Sequence, residues 1–303
     1  MSAEDFKFFT GLSKFNFEAL FLLLGGEDGL MILKLRYERS TPRKKSRPPL
    51  LSAKSRLLLF LLRLRRGTPI RDHAYQFGIS VGHTGSLFFG VLRKLRNTFQ
   101  SMEKAMFISR EEQQKDRPEA FKPFPQARVI VDGAEFKTET PSNYEQQGNM
   151  WSSYKHSNTA KFMIGISCYG AVMFVSKGFE GNKSDKQILK ESGLMDFLTE
   201  GDAVMCDRGF DIVSELLQIG VTTIKPPSLG SRAAFTPTEE LYNSAIAQAR
   251  IYVEHAIGKI KEFRLIRYTI PLSMRGILFD LVYVAGYLTN FCDRAIKSKQ
   301  KRK

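Results

Sequence analysis

The sequence predicts a mixed α/β domain preceded by an all-α region, and two changes of pattern along the chain carry this prediction. Residues 1 to about 105 place apolar side chains at helical spacing. From residue 128 onward, short apolar runs that are typical of buried strands alternate with helical segments. The polar, proline-containing segment 108–127 lies between them and is interpreted as a linker. We therefore expect a helical region at 1–107 and an α/β domain at 128–303.

The composition favours a polyanionic partner. The chain has 303 residues, 43% hydrophobic content and a formal net charge of +15, with a pI near 9.7. A well-solvated surface or a membrane-surface patch is the alternative interpretation, but the main basic cluster leads directly into a helical DNA-binding pattern. The basic residues of this cluster are Arg36, Arg39, Arg43, Lys44, Lys45, Arg47, Lys54, Arg56, Arg63, Arg65 and Arg66.

Cysteine usage and hydropathy exclude several classes of protein. Three cysteines without a C-x-x-C pair exclude a cysteine zinc finger and give no sign of a disulfide framework. No signal peptide opens the chain, and no apolar run reaches the ~20 residues that a membrane span needs. We expect no membrane association. The basic strings at 42–47 and 297–303 resemble nuclear import signals, so we expect a nuclear protein.

A helix-turn-helix is expected at about 52–99. Ser52 is predicted to cap a helix over 53–66, with leucines on one face and Arg56, Arg63 and Arg66 largely on the other. Thr68 is predicted to cap, and Pro69 to start, a short second helix, with Ala74 at a helix crossing and Gly78 in the turn. Ser80 is predicted to cap a third helix that runs to about Phe99.

This last helix is expected to enter the major groove of DNA with Val81, His83 and Thr84. Gly82 and Gly85 each cost roughly 1 kcal/mol of helix propensity, so an ordinary helical hairpin is the alternative. The expected DNA contacts are Arg43, Lys44, Lys45, Arg47, Arg63, Arg65, Arg66, His83, Thr84 and Lys94.

The order of elements in the second half predicts a ribonuclease H-like core. A tight hairpin at Tyr169-Gly170 joins the second and third strands. A short strand near 267–271 and a final helix at about 274–297 follow the core. The predicted strands are 128–132, 161–168, 171–177, 203–207 and 221–225, and the predicted helices are 185–198, 210–219 and 238–263.

Three acidic residues occupy core elements of this arrangement. Asp132 ends the first strand, Asp207 ends the fourth, and Glu254 interrupts the apolar face of the long helix. A buried carboxylate is costly without a positive partner, so we expect these acids to meet at a metal site. Oxygen ligands favour Mg²⁺ or Mn²⁺, and two such ions would support phosphodiester chemistry without a covalent enzyme intermediate.

The long helix also carries Arg250 and Lys261, which share a polar stripe with Glu254 and Gly258. One interpretation of this stripe is a metal-binding carboxylate that lies between cations that bind phosphate. The alternative is a row of ion pairs on the helix surface. Asp185 and Arg208 are further candidates. Asp185 is either an auxiliary ligand or the cap of the next helix, and Arg208 contacts either phosphate or a nearby acid.

Glu135 and Trp151 lie near these positions in the sequence. Glu135 follows Asp132 by three residues, so it is expected on the opposite strand face. Trp151, beside Tyr154, Lys155 and His156, is either a core residue or a stacking platform for DNA bases.

Residues 129–270 resemble the transposase domain of the PIF/Harbinger group of DDE transposases. The matching stretches include VDGAEFKTETPSNYEQQ, GDAVMCDRGFDI and ARIYVEHAIGKIKEFRLI, and 52–99 resembles the helix-turn-helix that precedes that domain. The spacing of Arg250, Glu254 and Lys261 also resembles a signature of bacterial insertion-sequence transposases, although their tyrosine is replaced here by Ala247.

This resemblance implies a catalytic triad of Asp132, Asp207 and Glu254 that cleaves double-stranded DNA at terminal inverted repeats and transfers the freed 3′-hydroxyl. It also implies a homo-oligomer and, in many members, a Myb-like partner. A domesticated relative that keeps only nuclease or DNA-binding activity, for example as a regulator, is the alternative.

Overall fold

The computed structural model describes residues 1–31, 33, 50–210 and 212–292. These residues form two units. Unit one contains the described residues of 1–102, 261–268 and 280–292, and unit two contains those of 103–260 and 269–279. The division differs from the predicted domain boundaries, because two C-terminal segments belong to the unit that the N-terminal helices form.

Unit one is helical, as the sequence predicts. Its core contains Leu57, Leu61, Leu92 and Leu95, which are almost completely buried. Its N-terminal helices are α1 (Ala3–Thr10), α2 (Lys14–Leu23), α3 (Gly26–Met31), α4 (Ala53–Arg66), α5 (Ile70–Gln76) and α6 (Val81–Met106).

The predicted helix caps and the turn of the helix-turn-helix are largely confirmed. The Ser52 hydroxyl accepts the N–H of Ser55 at 3.2 Å, and Ser80 Oγ accepts the N–H of His83 at the same distance. Gly78 adopts φ +62°, a conformation that glycine tolerates in a turn. The prediction that Thr68 caps α5 is wrong.

Thr68 has a different role. Pro69 occupies the cap position without a side-chain bond, while the Thr68 hydroxyl lies 2.6 Å from His73 Nε2. Helix α6 also continues seven residues beyond the predicted end at Phe99.

The segment predicted as a linker is folded into unit two. It contains helix α7 (Arg110–Gln114) and a 3₁₀ turn at Glu119–Phe121. Gln113 is fully buried, and its amide donates to the carbonyl of Arg128 at 2.8 Å and accepts the N–H of Cys168 at 2.9 Å. The polar composition was misleading because these polar groups satisfy buried backbone atoms.

Unit two contains a seven-stranded mixed sheet. Three further short helices and one long helix accompany it: α8 (Tyr144–Met150), α9 (Asp185–Ser192), α10 (Val213–Leu217) and α11 (Pro237–Ile260). The strands are β1 (Ala127–Lys137), β2 (Trp151–Ser152), β3 (Ser157–Ile166), β4 (Val172–Val175), β5 (Phe179–Glu180), β6 (Ala203–Met205) and β7 (Thr222–Ile224).

The sheet order is that of the predicted ribonuclease H-like core. Strand β1 pairs antiparallel with β3, which pairs antiparallel with β4, and it pairs parallel with β6, which pairs parallel with β7. Val129 and Val131 on one face of β1 belong to the same buried hydrophobic cluster as Ile188 and Leu189 of α9. Helix α11 packs against β1 and β3.

The C-terminal segment differs from its prediction. Residues 264–267 form helix α12 (Arg264–Arg267), and of the predicted strand only an isolated bridge between Ile270 and Thr138 is present. Helix α13 (Arg275–Leu288) follows a 3₁₀ turn at Leu272–Met274 and ends in another at Thr289–Phe291.

Among the described residues, one segment, Leu272–Phe291, is long and apolar enough to cross a membrane, contrary to the sequence expectation. However, 56% of it is buried inside the protein, and Asp280 within it forms an ion pair with Arg96 at 2.6 Å. A buried core helix passes the same length and composition test, so the segment carries no argument for a membrane.

Candidate active site

The pairing of β1 with β6 brings two of the predicted acids to the same level of the sheet. Ile130 lies beside Met205 in this parallel pair, so Asp132 and Asp207 both lie two residues further in the same direction. Asp132 lies in the middle of β1, which is longer than predicted, and Asp207 lies two residues beyond the end of β6. Strand order alone was sufficient to predict that they are neighbours.

The two carboxylates are held by their own backbone. Asp132 Oδ1 accepts the N–H of Gly133 at 2.8 Å, and Asp207 Oδ1 accepts the N–H of Arg208 at 2.7 Å. These bonds fix one oxygen of each carboxylate. The other oxygen of each group is left to face a further partner.

Helix α11 contributes a cation and a third carboxylate to this site. Arg250 Nη1 lies 3.2 Å from Asp207 Oδ1, and Arg250 and Glu254 are both near enough to Asp132 to influence its ionisation. Arg250 Nε is buried, and within the described part of the chain it has no hydrogen-bond partner. One turn of helix separates Arg250 from Glu254, which explains how a single element delivers both.

Burial raises the pKa of Asp132 above its usual value, and the negative charges of Asp207 and Glu254 act in the same direction. The bond from Gly133 and the positive charge of Arg250 oppose this rise without cancelling it. Asp132 is therefore the carboxylate whose ionised form would be stabilised most by a neighbouring cation.

The expectation of three buried acids is wrong for Asp207 and Glu254, and Asp132 is only half-buried. The Asp207 side chain is 51% exposed, and Glu254 is exposed on α11. Within residues 1–31, 33, 50–210 and 212–292, no three His, Cys, Asp or Glu side chains lie close enough together to hold one metal ion. The donor set has the hard oxygen chemistry that suits a divalent cation, but Asp207 and Glu254 must turn towards Asp132 to share one.

The opposite face of β1 carries a second group of charges. Glu135 pairs with Lys161 across the β1–β3 ladder, and its carboxylate accepts the Thr159 hydroxyl at 2.7 Å. Asp185 faces Gly133, and its pKa is raised by burial and by the charges of Glu135 and Asp207, against the opposing charge of Lys161. The expectation that Glu135 lies on the face opposite to Asp132 is consistent with this register.

Asp185 does not cap α9, contrary to one of its two predicted roles. Ser184 is the cap, and it forms a capping box with Gln187, which leaves Asp185 as the first helical residue. Lys161 is a residue that the sequence did not single out. Its relation to Glu135 depends on the register of β3, which no local pattern of residues predicts.

Lys261, Arg208 and Trp151 differ from expectation in different ways. Helix α11 ends at Ile260, so Lys261 lies outside the helix and the stripe stops at Gly258. The Arg208 guanidinium lies over the ring of Phe235, with 5.9 Å to the ring centroid. Trp151 and Tyr154 are 45% and 80% exposed, so the core interpretation of Trp151 is wrong.

Several expected DNA contacts in the helical unit are engaged in internal contacts. The Arg63 guanidinium donates to the carbonyl of Thr68 at 2.7 Å, and its pKa is lowered by burial. Arg65 forms an ion pair with Glu262 at 2.9 Å, and Arg66 lies over the ring of Phe8. These arginines stabilise the unit itself.

The predicted recognition helix presents fewer residues than expected. Thr84 is completely buried and its hydroxyl donates to the carbonyl of Ser80, so the prediction that it contacts DNA is wrong. Val81 is exposed, while His83 and Lys94 are partly exposed. Arg43, Lys44, Lys45 and Arg47 lie outside the described residues.

Comparison with protein families agrees with the fold and the helix-turn-helix. Residues 131–290 match the family described as DDE superfamily endonuclease, and residues 49–101 match the helix-turn-helix of DDE superfamily endonuclease. No curated protein matched the chain. The first match covers more than half of the chain and contains Asp132, Asp207 and Glu254. The protein therefore belongs to the DDE superfamily endonucleases, combining a nuclease domain with a helix-turn-helix for DNA.

Proposed function

We propose that this protein is a transposase of the PIF/Harbinger group, in which Asp132, Asp207 and Glu254 cleave DNA at element ends and the freed 3′-hydroxyl attacks the target. The observation that carries this proposal is the parallel register of β1 and β6, which sets Asp132 and Asp207 side by side. Helix α11 supports it by bringing Glu254 into electrostatic range of Asp132.

The three carboxylates are the residues that would hold Mg²⁺ or Mn²⁺, and DDE endonuclease domains in general depend on divalent metal. One or two bound ions would lower the pKa of the attacking water or 3′-hydroxyl and would stabilise the leaving oxygen. Asp132 contributes a desolvated carboxylate with a raised pKa, whose negative charge would be stabilised by such a cation. Asp207 and Glu254 contribute side chains with the exposure that rotation towards Asp132 requires.

Arg250 is proposed to position the scissile phosphate. Its Nη1 is 3.2 Å from Asp207, and its buried Nε has no hydrogen-bond partner among the described residues. A guanidinium presents several donors in a fixed fork, so Arg250 can pair with Asp207 and with a phosphate oxygen at the same time.

The helical unit is proposed to bind the terminal inverted repeats through α6, with the basic segment that contains Arg43, Lys44, Lys45 and Arg47 contacting the phosphate backbone. Nuclear location, assembly as a homo-oligomer and a Myb-like partner belong to the same proposal. They rest on the sequence resemblance and on the net charge of +15.

A second candidate function is DNA binding without catalysis, as in a domesticated regulator. The observation that favours it is the spacing of the acids, because within the described ranges no three of these side chains lie close enough to share one ion. The two candidates differ in whether metal produces cleavage.

The test is a nicking assay with purified full-length protein, Mg²⁺ and DNA that carries the repeats flanking its gene. We expect metal-dependent nicks, and we expect Asp132→Asn to abolish them while keeping DNA affinity. Glu135→Gln is the matched control, because Glu135 lies on the same strand but on the other face. DNA binding without cleavage by the wild-type protein would overturn the transposase proposal and support the regulator.

A further inference from the structure

A short hairpin in unit two carries exposed aromatic and cationic side chains that no part of the chemistry proposed above uses. Strand β2 pairs antiparallel with the first residues of β3, and residues 153–156 connect the two strands. Trp151 on β2 is 45% exposed, and Tyr154 in the connecting turn is 80% exposed. Large aromatic rings are mostly covered in folded proteins, so two exposed rings on one hairpin indicate a contact surface.

The turn of this hairpin has a defined backbone. The Ser152 hydroxyl accepts the N–H of Lys155 at 3.2 Å, and the Ser157 hydroxyl donates to the carbonyl of Lys155 at 3.2 Å. His156 adopts φ +48°, in the left-handed region that histidine enters more readily than most residues. A turn that is already fixed reduces the entropy that is lost when its side chains bind a ligand.

Trp151 lies on the same face of the sheet as Asp132. Opposite residues of an antiparallel pair share a face, and Trp151 lies opposite Asn158 while Asp132 lies opposite Ile164. Asn158 and Ile164 are an even number of residues apart on β3, so they share that face as well. At about 3.3 Å per residue, Trp151 lies about 20 Å along the sheet from the level of Asp132. That distance corresponds to roughly six nucleotides of a DNA strand.

The charge of the hairpin suits a phosphate backbone. Residues 151–156 contain one lysine, one histidine and no acid. Lys155 is exposed, and its Nζ lies 4.4 Å from the centroid of the Tyr154 ring. Within the part of the chain that the structure describes, Lys155 forms no ion pair. Exposed rings beside an uncompensated cation are the combination that proteins use to bind unpaired nucleic acid.

We propose that the β2–β3 hairpin binds bases of the DNA substrate that lie outside the duplex, with Trp151 and Tyr154 stacking on the bases and Lys155 contacting an adjoining phosphate. Within a duplex, neighbouring pairs cover both faces of each base, so an aromatic side chain stacks on a base that is unpaired or at a DNA end. An endonuclease creates such ends. The inference deepens the proposed DNA endonuclease function and depends on it.

Trp151 is the only tryptophan of the chain, so the tryptophan fluorescence of the full-length protein reports on this hairpin alone. The protein is titrated in EDTA with three DNAs that share one duplex: blunt, with a single-stranded tail of about ten thymidines, and with an abasic tail of equal length, each tail long enough to span about 20 Å. We expect the thymidine tail to quench the fluorescence, and the blunt duplex and the abasic tail to leave it nearly unchanged. The thymidine tail should also bind at least about fivefold more tightly than the abasic tail, the lower end of what stacking of one base gives.

Substitutions assign this preference to the hairpin, with affinity measured by fluorescence anisotropy of labelled DNA. Trp151→Ala and Tyr154→Ala should each reduce the preference for the thymidine tail, and Tyr154 is exposed enough that its removal leaves the fold intact. Phe15→Ala is the matched control, because Phe15 on α2 of unit one is 81% exposed, and it should keep the preference. Lys155→Gln should weaken binding of both tailed DNAs by the same factor, because both tails carry phosphates.

Two kinds of failure are distinguishable. Equal affinity of the wild-type protein for the two tails, or equal quenching by the blunt duplex, would overturn the inference and leave the DNA function standing. An equal loss of the preference in Phe15→Ala and Tyr154→Ala would overturn the assignment to the hairpin. Failure to bind any of the three DNAs would overturn the proposed function as well.

Discussion

Each face of β1 pairs a half-buried carboxylate with a cation from another element. Asp132 interacts with Arg250 of α11, and Asp185, which faces Gly133 from the other side, interacts with Lys161 of β3. Burial raises the pKa of both acids, and the cation opposes this rise in each case. Replacing the cation of one pair can therefore serve as the control for replacing the cation of the other.

Replacing Arg250 by glutamine is expected to raise the pKa of Asp132 further, because the charge that opposes the effect of burial is lost. The measurement is a carboxyl NMR titration of metal-free protein. The pKa of Asp132 should move upward, and the fraction ionised at a given acidic pH should fall.

Lys161→Gln is the matched control for that titration. It should raise the pKa of Asp185 and leave the pKa of Asp132 in place, because the two cations lie on opposite faces of the strand. If both variants shifted Asp132 equally, the assignment of Arg250 to its face would be wrong.

A third carboxylate, Glu215, links α10 to α9 and makes stability depend on pH. The hydroxyl of Ser214 donates to it at 2.8 Å and the ammonium groups of Lys190 and Lys186 lie 3.1 and 3.2 Å away, which lowers its pKa from 4.5 to about 2. A lowered folded-state pKa means that the stabilisation is complete above about 4.5 and is lost as the pH falls through about 2.

We expect Glu215→Gln to lower the melting temperature at pH 7 and to have a progressively smaller effect from pH 4.5 down to pH 2. Thermal melts of the variant and the wild type at several pH values measure the difference. A difference that stayed constant down to pH 2 would show that the charge of Glu215 contributes nothing.

At the scale of elements, α9 begins with a capping box that holds Asp185 in the first turn. Ser184 Oγ accepts the N–H of Gln187 at 3.3 Å, and the Gln187 side chain accepts the N–H of Ser184 at 3.4 Å. Ser184→Ala is expected to reduce the free energy of unfolding by about 1 kcal/mol, measured by urea denaturation. Ser184→Asp, which keeps an acceptor at the cap, should restore most of that loss.

Helix α6 carries both exposed residues, which are proposed to contact DNA, and buried residues that hold the unit together. Val81 and His83 are the exposed and partly exposed members at its start, whereas Thr84 is buried. His83→Ala is expected to relax sequence preference by about 1–3 kcal/mol at one base pair. Thr84→Val should change thermal stability and leave that preference unchanged, as measured by competition binding with single-base variants of the repeat.

The success of the sequence predictions follows the range of the interactions involved. Ser52, Gly78 and Ser80 were assigned correctly because caps and turns depend on neighbouring residues. The five main strands followed from apolar runs, and their order matched a known arrangement. The linker prediction failed at Gln113, whose partners lie 15 and 55 residues away along the chain.

The same limit applies to the candidate site. That Asp132 and Asp207 are neighbours could be predicted because each comes directly after an apolar run that forms a strand of the sheet, and these two strands pair in parallel. The exposure of Glu254 and the place of Lys161 depend on how α11 and β3 pack against β1. No short sequence pattern encodes that packing.

At the scale of the whole molecule, the net charge of +15 is concentrated in one segment of the sequence, while some cations elsewhere are paired internally. Lys115 and Lys122 lie 2.5 and 2.7 Å from Glu112 and Glu119, so their charges are compensated locally. Lys44 and Lys45 belong to a segment with eleven basic residues and one acid, Glu38, between residues 36 and 66. A polyanion is attracted by such a local excess of positive charge in the sequence.

The salt dependence of DNA binding is expected to report this difference. Each phosphate contact that a lysine makes releases counterions, and contributes about 0.9 to the slope of log K against log salt. The double variant Lys44→Gln and Lys45→Gln should therefore bind DNA of any sequence more weakly, with a slope that is flatter by about 2. The measurement is fluorescence anisotropy between 50 and 200 mM salt, approximately the range over which such contacts lose most of their strength.

The double variant Lys115→Gln and Lys122→Gln removes the same charge from compensated sites and should leave the slope unchanged. Equal slopes for both double variants would mean that DNA senses only the total charge, and the basic segment would lose its assigned role.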